Sequence, residues 1–303
     1  MPAETIHRAK QTPGHARGDR FAELLRAWRD GGRASPAIIM GVVNVTPDSF
    51  SDGGRFATTE GAIAQGRKLV EDGAAILDIG GESTRLHADP VAADEELRRV
   101  LPVIEGLRTT GALISVDTMK ASVAEAALDA GAHIVNDIRG LQGVSGIAAV
   151  AASYGAAVIA MHNPGLLGSA EPLPGDPVRH CLAYFERSIG IARRAGVAED
   201  RIALDPGFGF GKSVEQNLEL LARLPELAVL GFPLLVGTSR KSFIGKVTGR
   251  GLPDRLIGTL TANVAAALLG AAIVRVHDVE EHRDAIRMAA AIRAAGFPSG
   301  LSA

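Results

Sequence analysis

An α/β fold, a (β/α)8 TIM barrel in a single domain with an N-terminal helical extension, is the class the sequence predicts, on three observations. Eight short apolar runs alternate with longer segments of helical period. The runs are near-continuously apolar, as strands of a parallel sheet are when helices cover it, since each crossover must return the chain to the same end. A weak Gly-Ala repeat stands just before several of them. Eight such units suggest a closed barrel, and 303 residues suit one barrel, whose core takes roughly 250 residues.

Taken in order, Phe21, Leu24, Leu25 and Trp28 fall at i, i+3, i+4 and i+7 and predict an amphipathic helix. That helix packs on the barrel wall or closes its N-terminal mouth. Residues 1 to about 18 read as disordered. The division expected is an extension over 1–35 and a barrel over 36–297. Strands are expected at Ile38 to Val43, Ala75 to Ile79, Leu113 to Asp117 and His133 to Asn136, then at Ala157 to Met161, Ile202 to Asp205, Pro233 to Gly237 and Ala272 to Val276. Gly73-Ala74, Gly111-Ala112, Gly131-Ala132, Gly155-Ala156 and Gly270-Ala271 each precede a strand, where glycine can end a helix in a left-handed conformation. The runner-up, an open doubly wound sheet, should carry a phosphate-binding glycine fingerprint in its first βα turn, and none follows Val43.

Composition narrows the function. Apolar residues make up 47% and charged residues 22%, so a full-sized core can form. The net charge of -2, without an extended basic run, gives no footprint for nucleic acid or an anionic membrane, and a small-molecule partner is the expectation. Cys181 is the sole cysteine, which excludes an intrachain disulfide and a thiolate zinc cluster and fits a reducing, cytoplasmic setting. The first 36 residues lack the apolar stretch of a signal peptide, and no run reaches the length of about 20 that spans a bilayer.

Polar residues gather at or just after the strands' C-terminal ends, the active-site face of barrels. They are Asn44, Asp78, Asp117, Asn136, Asp137, His162, Asp205, then Ser239, Arg240, Lys241, Arg275 and His277. Arg275 and His277 lie two apart on one strand, so both project from one face, and a planar donor fork beside an imidazole donor suits an anion. The plain alternative is that Arg275 pairs with Asp278. Asp117 and Asp205 need hydrogen-bond donors if buried, which a heterocycle bearing N–H and amino groups would supply. The run Asp205 to Ser213 is not a P-loop, because Pro206 stands where its first Gly should be. Neither a His-Glu-x-x-His zinc frame nor a Gly-x-Ser-x-Gly elbow is present.

Seven motifs, in one order over about 38 to 295, resemble the signatures of dihydropteroate synthases. They are Asn44-Val-Thr-Pro-Asp-Ser-Phe-Ser-Asp-Gly-Gly54, Asp78-Ile-Gly-Gly-Glu-Ser-Thr-Arg85, Ser115-Val-Asp-Thr118, Asn136-Asp-Ile-Arg139, Asp205-Pro-Gly-Phe-Gly-Phe-Gly-Lys212, Ser239-Arg-Lys-Ser-Phe243 and Arg275-Val-His-Asp278. The resemblance implies a transferase of alkyl groups other than methyl. It would join 7,8-dihydropterin-6-ylmethyl diphosphate to p-aminobenzoate in folate biosynthesis, by SN1-like loss of diphosphate. It implies catalytic roles for Asp117, Asp205 and Lys241, a pterin site of Asp117, Asn136, Met161, Asp205, Phe210 and Lys241, and a diphosphate site of Asn44, Arg275 and His277. It further implies p-aminobenzoate loops carrying Phe50, Thr84, Arg85 and Ser239, a Mg²⁺ ion held by Asn44 and Asp52, and a homodimer.

Two departures stand out. Leu86-His87 replaces the family's usual Pro-Gly after Arg85, which changes the stiffness of that loop, and the chain after Met161-His162 diverges through residue 176. Two other readings share the pterin pocket: a methyltetrahydrofolate-dependent methyltransferase, which has no diphosphate to hold, and a pterin-binding paralogue impaired in turnover.

Overall fold

The computed structural model describes residues 16–45, 59–83, 89–143, 146–164 and 173–297. Most of the segment expected to be disordered, residues 1–15, lies outside them. Eight parallel strands run in chain order: β1 (Ile38–Asn44), β2 (Ile76–Gly80), β3 (Leu113–Asp117), β4 (Ile134–Asp137), β5 (Ala157–Met161), β6 (Ile202–Asp205), β7 (Leu235–Val236) and β8 (Ile273–Val276). The helices are α1 (Asp19–Asp30), α2 (Thr59–Asp72), α3 (Ala93–Leu107), α4 (Ala121–Ala130), α5 (Ile147–Tyr154), α6 (Pro177–Ala195), α7 (Val214–Ala222), α8 (Ser242–Thr248), α9 (Leu256–Leu268) and α10 (Val279–Ala294).

The sheet order β6-β5-β4-β3-β2-β1-β8-β7 is closed by a parallel bridge between Leu204 and Leu234, so the predicted barrel is what forms. Seven strands begin and end within a residue or so of their expected limits. β7 is shorter than the five residues expected, because Pro233 has no N–H to give the ladder and contributes only its carbonyl, which accepts from Leu204 N at 3.0 Å. The five glycines of the Gly-Ala repeat all have positive φ, from 58° to 122°.

Strand periodicity sorts the core into two. One set of alternate residues faces the helices, as Val43, Leu77, Ile79, Ile114, Val116, Val135, Val158, Leu204, Val236 and Val274 do. The other fills the barrel's lower interior: Ile38, Met40, Ile76, Leu113, Ile134, Ala157, Ile159, Ala203, Leu235 and Ile273. Phe21 and Leu25 of α1 belong to this second cluster, with Leu24 and Trp28 packed against it. The amphipathic helix therefore closes the N-terminal mouth, the second of the two placements expected. An ion pair from Arg201 to Asp19 at 2.5 Å and a backbone bond from Gly18 N to Gly155 O at 2.8 Å fasten it there. Among the described residues no helix is long and apolar enough to cross a membrane.

Candidate active site

The same period of two that fills the lower barrel with apolar side chains delivers polar ones at the top. Two residues beyond Ile76, Leu113, Ile134, Ala203, Leu235 and Ile273 stand Asp78, Ser115, Asn136, Asp205, Gly237 and Arg275, with Asp117 and Met161 one further step along their strands. Asp117, Asn136, Met161, Asp205, Phe210, Lys241 and Arg275 line one pocket with Ile138, Phe208 and Gly237, enclosing about 320 Å³ including its open mouth. All six residues assigned to a pterin site from the sequence thus meet in one place. A roomier hollow of about 610 Å³ lies at the opposite end, between Arg20, Leu24, Val70 and Thr110. Arg20 is its sole titratable group, so it lacks the paired charges that chemistry needs.

Arg275 organises the pocket floor. Its Nε donates to Asp78 Oδ2 at 2.6 Å and its Nη2 to Asp117 Oδ2 at 2.9 Å, while Asn136 Nδ2 donates to the same Asp78 oxygen at 3.0 Å. The possible pairing of Arg275 with Asp278 does not occur; Arg240 takes Asp278 instead, at 2.6 Å. Asp78 is fully buried and joins this cluster, although the family resemblance gives it no role; a carboxylate inside an apolar strand is the signal of such a buried partner. Burial, then the Asp78 carboxylate, raises the pKa of Asp117 above the carboxylate range, with Arg275 opposing. Asp78 Oδ1 and Asn136 Oδ1 are buried acceptors without a protein partner.

Asp205 accepts from Gly207 N at 2.7 Å, yet burial still raises its pKa. Lys241 faces it; burial and the Arg275 charge lower the ammonium's pKa to about 8, against the pull of Asp205 and Asp117. The ammonium sits 3.9 Å from the centroid of the Phe210 ring, a cation–π contact that narrows the pocket. The glycine-rich run that imitates a P-loop is a turn built for close approach. Gly207 has φ +67°, and a Cβ there would stand 2.0 Å from the His162 carbonyl oxygen. Lys212 folds the turn back by donating to the carbonyls of Gly207 at 2.9 Å and Phe210 at 3.2 Å, and Ser213 caps α7 in a capping box with Gln216.

At the ends of β7 and β8, Ser239 lies against His277 rather than apart from it. Ser239 Oγ accepts from His277 N at 3.2 Å, so its own proton goes to His277 Nδ1, 2.9 Å away. That leaves the proton of the neutral ring on Nε2. Burial, then the charges of Arg240 and Arg275, lowers the pKa of His277 to about 3, so the ring is a neutral donor at physiological pH. Asn44 ends β1 beside Gly80, half-buried on the same rim. Phe50, Asp52, Thr84, Arg85 and the departure at Leu86-His87 lie outside the described residues. His162, also named at a strand end, is buried behind the sheet against Tyr184 and Phe185 and takes no part. Among the described residues no three His, Cys, Asp or Glu side chains are gathered to hold a metal ion.

Residues 40–277 match the family described as pterin binding enzyme, so the chain belongs to the class of pterin-binding barrels. It is 47% identical over 258 residues to the dihydropteroate synthase of Synechocystis sp., covering 84% of this chain and 89% of that protein. The Xanthomonas albilineans dihydropteroate synthase solved with 4-aminobenzoic acid superposes with a TM-score of 0.81 at 46% identity, over 86% of this chain and 94% of that one. The Clostridium difficile enzyme solved in the presence of pteroic acid gives 0.80 at 47%, over 86% and 97%. Within its class, the chain belongs to the dihydropteroate synthases, alkyl-group transferases of folate biosynthesis.

Proposed function

We propose that the chain condenses 7,8-dihydropterin-6-ylmethyl diphosphate with p-aminobenzoate and releases diphosphate, with the residue roles set out below. The observation that carries the reading is a buried, acceptor-rich pocket: Asp117, Asn136 and Asp205 on adjoining walls, with Asn136 Oδ1 unpartnered, between Met161 and Phe210. A flat heterocycle edged with amino and N–H groups satisfies those acceptors, and the sulfur and the ring pack its faces.

Charge placement favours the chemistry. The Asp117 carboxyl group stands on the pocket wall, bonded to Arg275 and close to Lys241. In its ionised form it stabilises positive charge that develops on a ligand beside it. The bond from the pterin methylene to the diphosphate oxygen breaks with its electron pair leaving on diphosphate. The cation is delocalised into the ring beside Asp117, the nitrogen lone pair of p-aminobenzoate forms the new C–N bond, and the amine then loses a proton to solvent water. Arg275, with N–H donors beyond the two engaged by carboxylates, and His277 Nε2–H bind the departing diphosphate.

Mg²⁺ typically takes one or two protein oxygens and fills its remaining positions from substrate phosphates and water. The amide oxygen of Asn44, on the rim at the end of β1, suits that donor set, with Asp52 as its partner. When bound there, Mg²⁺ supplies Lewis-acid neutralisation of the leaving group. Phe50, Thr84, Arg85 and Ser239 are the groups proposed to meet p-aminobenzoate. A homodimer fits the exposed apolar side chains Leu218, Val247 and Ile257, one on each of the neighbouring helices α7, α8 and α9.

Titration calorimetry with a pterin tests the pocket. Asp205→Asn replaces a charged acceptor with a neutral amide and should weaken pterin affinity by about 10- to 100-fold. An unchanged affinity would place the pterin elsewhere.

A further inference from the structure

Behind the anion end runs a buried polar chain that takes no part in the chemistry described above. Thr238, Thr259, Asn263 and His282 are all completely buried. Thr238 Oγ1 lies 2.7 Å from Asn263 Oδ1, Asn263 Nδ2 lies 2.9 Å from His282 Nε2, and His282 Nδ1 lies 2.5 Å from the carbonyl oxygen of Asp278. The direction of every bond follows from its last member. A backbone carbonyl can only accept, so Nδ1 carries the proton of the neutral ring and Nε2 is an acceptor. Asn263 must then turn its amide nitrogen to His282 and its oxygen to Thr238, whose hydroxyl must donate. One arrangement satisfies all four groups.

Both ends of the chain are site turns. Thr238 precedes Ser239, Arg240 and Lys241 after β7, and Asp278 follows His277 after β8. Arg240 has φ +59°, a left-handed conformation that costs a residue with a Cβ, and it is held there from three sides. Thr259 Oγ1 accepts from its N–H at 3.2 Å, Arg255 Nη1 donates to its carbonyl at 3.0 Å, and Asp278 pairs with its guanidinium at 2.6 Å. Thr259 and Asn263 stand at i and i+4 on α9, so one helix face braces both turns. Apolar side chains would pack this wall without the desolvation that buried polar groups require, so the gain from the chain lies in geometry.

We propose that Thr238, Asn263 and His282 are positioning residues of the anion end: their one-way hydrogen-bond chain locks the β7–α8 turn to the β8–α10 turn and sets where His277, held by Ser239, meets the diphosphate. The inference rests on the reading above that this end holds diphosphate. The pterin ring is gripped mainly by β3 to β6, so the chain acts on one part of the substrate more than on the other.

Calorimetric titration of the full chain with inorganic diphosphate in Mg²⁺, and separately with a pterin lacking diphosphate, tests this. Asn263→Leu and Thr238→Val should weaken diphosphate by about tenfold and the pterin by no more than about threefold. His282→Gln, which can still donate to Asp278 O and accept from Asn263, and Thr238→Ser should bind diphosphate within about threefold of the parent. If Asn263→Leu fails to fold, Thr238→Val, a change of one hydroxyl to methyl, decides. Parental diphosphate affinity in a folded Thr238→Val chain would overturn the proposal, as would equal loss of both ligands. Pterin binding by the parent chain without diphosphate binding would sink the anion-site reading itself.

Discussion

The Lys241 ammonium, lowered by burial and by Arg275 to a pKa of about 8, titrates within the range in which the site meets base. Only its charged form attracts Asp117 and Asp205, so on the reading proposed above function is lost as pH rises through that value. We predict that kcat/KM for the pterin substrate falls above about pH 8, because this ratio reports groups of the free enzyme. The limb should vanish in Lys241→Arg, whose guanidinium stays protonated. A limb unchanged in that variant would assign it to another group. Arg275 shows the reverse balance: burial opposes its charge, but Asp78 and Asp117 outweigh burial and raise its pKa, so it stays cationic throughout.

Among the elements, the turn from β6 to α7 carries the tightest steric demand. Gly207→Ala would drive a methyl group into the His162 carbonyl at 2.0 Å from a left-handed backbone. A loss of about 3 kcal/mol or more in urea unfolding is expected, and a loss under about 1 kcal/mol would show that the turn can shift. The sequence made this region legible only in part. A run containing Gly207, Gly209 and Lys212 invited comparison with phosphate-binding loops, and Pro206 ruled that out, but nothing local says that Lys212 turns inward to two carbonyls. Strands and their polar ends were legible because a period of two is a local property. The Arg275–Asp78–Asp117 cluster was not, because β8 and β2 become near neighbours only once the barrel places them on either side of β1. The Ser239–His277 bond was hidden for a related reason: it joins two turns that are 38 residues apart.

For the whole molecule, the barrel divides the work between its two ends. Phe21 and Leu25 of α1 seal the lower mouth with apolar surface, which leaves the upper mouth as the place where charges are exposed to a ligand. Seven ordered motifs resemble one family, and five of them bring residues to that upper mouth, among them Asp117, Asn136, Asp205, Lys241 and Arg275. On the reading proposed above, these residues together perform the condensation. It is tested most directly by incubating the chain with 7,8-dihydropterin-6-ylmethyl diphosphate and Mg²⁺ and following diphosphate release together with dihydropteroate formation, with and without p-aminobenzoate. Stoichiometric release coupled to product is expected, reduced at least about 100-fold in Asp117→Ala through loss of the carboxylate beside the cation. Pterin binding with no diphosphate release in the parent chain would contradict it.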